Sequence, residues 1–320
     1  MRVTARQQHL KKMPQREFDL ILTGDSVFKL DVMCYGGRQA DLTPLLILHS
    51  IEFPIPPSVA FCEYMRAHGY QVIFVRRAGY GRSTPLPDAL FQDTAVKSGA
   101  TLAAEAAMLR QLIARLDVSR IVLLALGSAN PVASRLIHMT TNIDVAIFAN
   151  PVFNREIWQV FSPEWFAKMI KQIVTSQSGL EFAMRGMKLM IRNNPVGFYQ
   201  SILQKDRGDL DYVTRNAADY CDAGNMVLEV TPGQLYYDAY SVLAHDHILK
   251  DRYFANTNAA VLIGAKTKEH WRLTMAAEAS RLQLPLIKAP IGDIFCAYAS
   301  PDTLLEAIRQ FASQNTISVA

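Results

Sequence analysis

Cysteine is scarce in this chain: four in 320 residues, Cys34, Cys62, Cys221 and Cys296, with no CxxC pair among them. So scattered a set excludes a disulfide framework or a structural zinc site and suits reduced, mostly buried thiols. An excess of either charge is missing too. Thirty-three basic residues face 29 acidic ones, a net charge of +4, and this leaves no electrostatic footprint for a nucleic acid. Long apolar runs are absent as well. No segment reaches the roughly 18 residues of a membrane span, and the N-terminus lacks the apolar stretch of a secretory signal. There is no P-loop, and Gly79-Tyr80-Gly81 lacks the third glycine of a dinucleotide fingerprint. These absences point to a cytoplasmic protein with no cofactor and no bound metal.

What is present is a globular composition, half hydrophobic and 19% charged. Residues 1–17 carry Arg2, Arg6, Lys11, Lys12 and Arg16 before the first acid, Glu17, and read as a flexible basic arm. Short β-branched runs then alternate with helical spacing. Leu45–Leu48, Gln71–Val75, Ile121–Ala125, Asp144–Asn150, Ala259–Gly264 and Leu284–Lys288 read as strands. Between Thr101 and Leu116, apolar Leu102, Ala106, Leu109, Leu112, Ile113 and Leu116 recur at helical spacing. Further helices are expected from Ser58 to His68, from Pro131 to about Met139, from Leu273 to Leu282 and from Pro301 to Phe311. The rhythm predicts an α/β fold with a mostly parallel sheet flanked by helices. From 152 to 251 it gives way to a stretch rich in methionine and aromatics, broken by Gly179, Pro195 and Pro232-Gly233, which predicts a helical insertion.

Three stretches resemble the α/β-hydrolase family over residues 18 to 313. The strand ending in His49-Ser50 looks like the family's oxyanion-side turn; Gly79, Gly81 and Ser83 match its R-G-x-G-x-S run; Gly292-Asp293 through Pro301 to Phe311 is similar to its terminal Gly-His, proline and last helix. The resemblance implies a core of 18–151 and 252–320 with the 152–251 insertion as a lid. It implies a pocket walled by Trp158, Phe161 and Trp165 from the lid and by His49, Ser50 and Ala129 from the oxyanion side.

The family's chemistry needs a serine, a histidine and an acid. Ser128 falls between strand and helix where the nucleophile elbow is expected, with Leu126 and Asn130 as imperfect flanks. The histidine position holds Asp293 and the acid position Thr267, while Asn150 holds the family's alternative acid place. An ordinary carboxylate is a weak base at neutral pH, so the standard triad is missing. His49 and His270 are the remaining candidate bases. His245-Asp246-His247 has strand-like spacing in helical surroundings and no evident third metal ligand. Arg76 and Arg77 put two positive charges near the cavity edge, where they would favour an anionic ligand, although at least one of the two is expected to face solvent instead. Three readings stay open: a non-catalytic binder of a small, largely apolar ligand, a serine hydrolase using Ser128 with a non-standard base, and an interaction scaffold. No oligomeric state is implied.

Overall fold

The computed structural model describes residues 15–21, 27–37, 39–51, 53–151, 153, 165, 168–169, 172, 176–203, 207–215, 217–244 and 249–317. Eight strands form one sheet: β1 (Gln15–Ile21), β2 (Val27–Cys34), β3 (Thr43–Leu48), β4 (Tyr70–Val75), β5 (Ile121–Leu126), β6 (Ile143–Ala149), β7 (Ala259–Gly264) and β8 (Leu286–Ala289). Their spatial order is β1-β2-β4-β3-β5-β6-β7-β8. β1 pairs antiparallel with β2, β2 antiparallel with β4, and every other neighbour is parallel. The parallel strands are largely apolar because both of their faces are covered. β5 and β7 are buried at every residue.

Two apolar cores follow, one on each face of the sheet. The covering helices are α1 (Val59–Ala67), α2 (Asp93–Lys97), α3 (Ala100–Leu116), α4 (Asn130–Leu136), α10 (Glu269–Leu282), α11 (Cys296–Ala299) and α12 (Pro301–Ile317). All six apolar residues that mark α3 in the sequence are buried. Ser58 caps α1 by accepting the Phe61 N–H at 3.2 Å, one of the orphan donors of a helix start. Among the described residues of the connection between β6 and β7, five helices have stated bounds: α5 (Gln177–Asn193), α6 (Pro195–Leu203), α7 (Arg207–Arg215), α8 (Ala217–Glu229) and α9 (Pro232–Ala244). Among the described residues, no helix is long and apolar enough to cross a membrane. Cys34, Cys62 and Cys296 are buried, and burial pushes the thiols of Cys62 and Cys296 well above their ordinary pKa.

The strand order places the site. β3 lies between β4 and β5, so the chain leaves β3 toward one side, returns across it, and continues toward the other. The carboxyl ends of β3 and β5 therefore flank a topological switch point, the place where open α/β sheets form the crevice that takes a ligand. A second close approach lies at the end of β7. A Cβ on Gly264 would stand 1.7 Å from the Gly292 carbonyl oxygen and 2.8 Å from the Cα of Asp293. No side chain can bend out of the way there, because the obstacle is backbone. Gly264→Ala is expected to lower stability by about 3 kcal/mol, as overpacking against main chain does. Urea unfolding of the variant checks this; a loss below about 1 kcal/mol would mean that the loop yields.

Candidate functional site

The turn after β5 is built around Gly127, whose φ of 47° lies in the left-handed region. A 3-10 turn, Gly127–Ala129, leads into α4, with Pro131 in its first turn. The residue in the left-handed conformation thus precedes Ser128 by one position. The local sequence reads Ala125-Leu126-Gly127-Ser128-Ala129, with small residues two positions either side of Gly127. In that register Leu126 is no longer a misfit.

Ser128 is buried, and its Oγ accepts the Ile51 N–H at 2.7 Å. This bond spans the switch point, joining the turn after β3 to the turn after β5. Among the described residues, Ser128 has no side chain that takes its proton. Ser50 caps the same β3 turn, its Oγ accepting the Phe53 N–H at 3.2 Å. Ala129 is fully buried.

His49 is also fully buried, stacked on Phe74 with its ring against Tyr80. Its Nδ1–H donates to the Ser50 carbonyl at 2.9 Å, and its Nε2 accepts the Arg77 N–H at 3.0 Å. Both nitrogens are engaged, which fixes the neutral tautomer. Burial, reinforced by the Arg77 charge, pushes its pKa down to about 3. His49 is a packing residue and not a base for Ser128.

At the other end of the crevice the structure brings Thr267 and Asp293 together: the threonine Oγ1–H donates to Asp293 Oδ1 at 2.6 Å. The two positions that the sequence marked as acid and histidine are therefore hydrogen-bonded neighbours. The loop bearing Asp293 is held from the inserted helices. Asp209 of α7, fully buried, accepts three consecutive backbone N–H groups: Asp293 at 3.1 Å, Ile294 at 2.7 Å and Phe295 at 3.3 Å. Gly292, at φ 80°, leaves room for this carboxylate; a Cβ there would lie 2.9 Å from Asp209 Oδ1.

The two arginines after β4 do not offer charge to a ligand, contrary to the sequence expectation. Arg76 Nη1 pairs with Asp31 at 2.8 Å. Arg77 is buried and forks onto Glu105 of α3, Nε to Oε1 at 2.7 Å and Nη2 to Oε2 at 2.9 Å. Its Nη2 also meets Asp238 of α9 at 2.5 Å. Tyr237 donates to Glu105 at 2.6 Å, while Tyr80 and Gln234 donate to Asp238 at 2.9 and 3.3 Å. Burial alone would lower the Arg77 pKa, but the adjacent Asp238 and Glu105 carboxylates outweigh it and hold it well above the ordinary value. One cation shared between two anions does not fully compensate either. Burial raises the Asp238 pKa against the partial offset of Arg77.

Trp165 is described and mostly exposed. Trp158, Phe161, His245 and His247 lie outside the described residues, as does the basic arm up to residue 14. His270 starts α10, and its side chain is not among those described. Gly127, Ile51, Glu105, Asp209 and Asp238 were not marked by the sequence reading. Only Gly127 had a local signal there, the small residues flanking it.

No family model matches the chain, and no curated protein matches it in sequence. Solved structures do. A probable hydrolytic enzyme from Pseudomonas aeruginosa is 14% identical, with 94% of each chain covered and a TM-score of 0.58. A bromoperoxidase from Bacillus anthracis is 14% identical over 93% of this chain and 100% of that one, at a TM-score of 0.59. A thermophilic esterase from Thermogutta terrifontis is 17% identical over 93% of this chain and 98% of that one, at 0.57. At such identities the likeness is one of fold.

Proposed function

We propose that this chain, which has the α/β-hydrolase fold, is not a serine hydrolase of the standard kind but binds a small, largely apolar molecule between the carboxyl edge of its sheet and the inserted helices. One observation carries the reading. The left-handed residue of the turn after β5 is Gly127, which has no side chain to attack with, and the neighbouring Ser128 hydroxyl is taken up by the Ile51 N–H. In this fold that N–H is of the kind that stabilises an oxyanion. Here a resident hydroxyl occupies it. His49 is locked as a neutral packing residue, and Asp293, which sequence spacing assigns to the fold's histidine position, is hydrogen-bonded to Thr267, which it assigns to the acid position. These features together favour the scaffold without the proton relay.

The polar demand of the site narrows the ligand. Asn130 Oδ1, Asn150 Oδ1 and Gln234 Oε1 are buried acceptors with no partner among the described residues. They lie just after β5, at the end of β6 and on α9. The amides of Asn130 and Gln234 are oriented by their own donations, to the Gly127 carbonyl and to Asp238, so the open atoms are oxygens. Buried acceptors of this kind suit a ligand that donates through a hydroxyl or N–H, while Arg76 Nε and Arg77 Nη1, likewise without a partner among the described residues, leave room for one that accepts as well.

The alternative, a hydrolase with a non-standard base, draws on the retained Ser128 and on the enzymes that share the fold. A fluorophosphonate probe separates the two, since it modifies only serines activated by a base. The wild-type protein is expected to gain no mass after incubation with the probe under conditions that label a competent hydrolase stoichiometrically. A stoichiometric adduct that disappears in Ser128→Ala would overturn the non-catalytic reading.

A further inference from the structure

A surface helix of a folded domain normally buries one apolar face and shows a polar one to water. Helix α5 departs from this, showing large apolar side chains among the polar residues of its outer face. Its inner face buries Met184 and Ile191, and Lys188 Nζ ties it to its neighbours through the carbonyls of Leu228 at 3.0 Å and Val230 at 2.7 Å. Its outer face shows Phe182 (77% exposed), Leu189 (59%) and Met190 (54%). At 3.6 residues per turn, Phe182 and Leu189 lie within about 20° of each other around the axis. Arg185 and Arg192, both exposed and also seven apart, run alongside them on one flank. The only acid in α5, Glu181, is half-buried.

The geometry points to α5 as an interfacial contact that lays Phe182, Leu189 and Met190 into an anionic lipid surface, with Arg185 and Arg192 at headgroup level. Phenylalanine and leucine at the centre of the face, with methionine on the flank opposite the arginines, offer area but no hydrogen bonds, which suits acyl chains. Two exposed cations beside one half-buried acid, Glu181, suit anionic headgroups. The same charges argue against a second copy of the chain as the occupant. A two-fold contact through this face would bring four arginines together against two half-buried Glu181 carboxylates. Because Lys188 and the buried residues fix the inner face, the outer face is presented without unfolding the helix. This contact is independent of what occupies the crevice.

The test is co-sedimentation of the full chain with vesicles of phosphatidylcholine alone and of phosphatidylcholine with phosphatidylglycerol. The wild type is expected to pellet with the anionic vesicles and to stay largely in solution with the neutral ones. Phe182→Asp with Leu189→Asp is expected to weaken binding about tenfold or more. Arg185→Glu with Arg192→Glu is expected to weaken it by about 30-fold on anionic vesicles, at about 1 kcal/mol for each cation lost. All four changed positions are exposed, so circular dichroism of both variants should match the wild type. Wild-type protein left in the supernatant with anionic vesicles would overturn the proposal, as would undiminished binding by the Phe182/Leu189 variant. So would a concentration-dependent dimer, seen by sedimentation velocity, that Phe182→Asp dissociates.

Discussion

Replacing Arg77 by methionine is expected to lower the free energy of unfolding by about 3–5 kcal/mol at neutral pH, the penalty of leaving buried charges without their partner. Methionine keeps the apolar stem and removes the guanidinium, so a small cavity adds to the lost charge and the pH dependence isolates the charge part. Glu105 and Asp238 would then face each other across the vacated guanidinium with only Tyr237, Tyr80 and Gln234 donating to them. The defect also has a predictable pH dependence. Burial raises the folded-state pKa of Asp238 above its ordinary value, so the native protein keeps that proton to higher pH than the unfolded chain does. Its contribution to stability is therefore full below the ordinary carboxylate pKa and is lost as pH rises through the raised one. Without Arg77 that pKa moves further up. Urea unfolding at pH 5 and pH 8 should show a larger deficit at pH 8, and adding Asp238→Asn to the variant should recover part of it. An equal deficit at both pH values would mean that the network's charges are solvated in the variant.

Asp209→Ala is expected to cost about 4 kcal/mol, because three backbone N–H groups lose one carboxylate at once and water has poor access to them. The loss should be local before it is global. Asp209 belongs to the inserted helices and its partners to the loop after β8, so the first event is release of that loop. Hydrogen exchange should locate it: the amides of Asp293, Ile294 and Phe295 should exchange orders of magnitude faster, while those of β5 and β6 keep their protection. Protection retained at all three amides would show that the loop holds its shape without α7.

The parallel part of the fold was legible in the sequence because its strands are buried on both faces and read as unbroken apolar runs. The reading placed β3 to β8 within a few residues of where they lie. It passed over the β1–β2 hairpin, and the reason is physical. An edge strand covered on one face alternates apolar with charged residues, as Glu17, Phe18, Asp19 and Leu20 do. The basic residues before Glu17 put the end of the flexible arm at residue 17, inside the strand that begins at Gln15. At the site, the pairing of Thr267 with Asp293 came from spacing to recognisable loops. In the turn after β5 the residue with a positive φ is Gly127, next to the hydroxyl that the sequence singles out. The carboxylates around Arg77 could not be seen at all. Glu105 is 28 residues away and Asp238 161, and nothing local to either acid marks it as buried.

That long separation has a consequence for how the molecule is made. On the ribosome, β3, β4 and α3 emerge together, and Arg77 can pair with Glu105 while most of the chain is still unsynthesised. The second carboxylate arrives only after five helices more have been translated. Until α9 docks, the arginine's outward nitrogens remain open to solvent, and the half-built sheet has no lock on its carboxyl edge. A nascent chain stalled before residue 238 emerges should therefore be cleaved readily by proteases at sites that the released full-length chain protects.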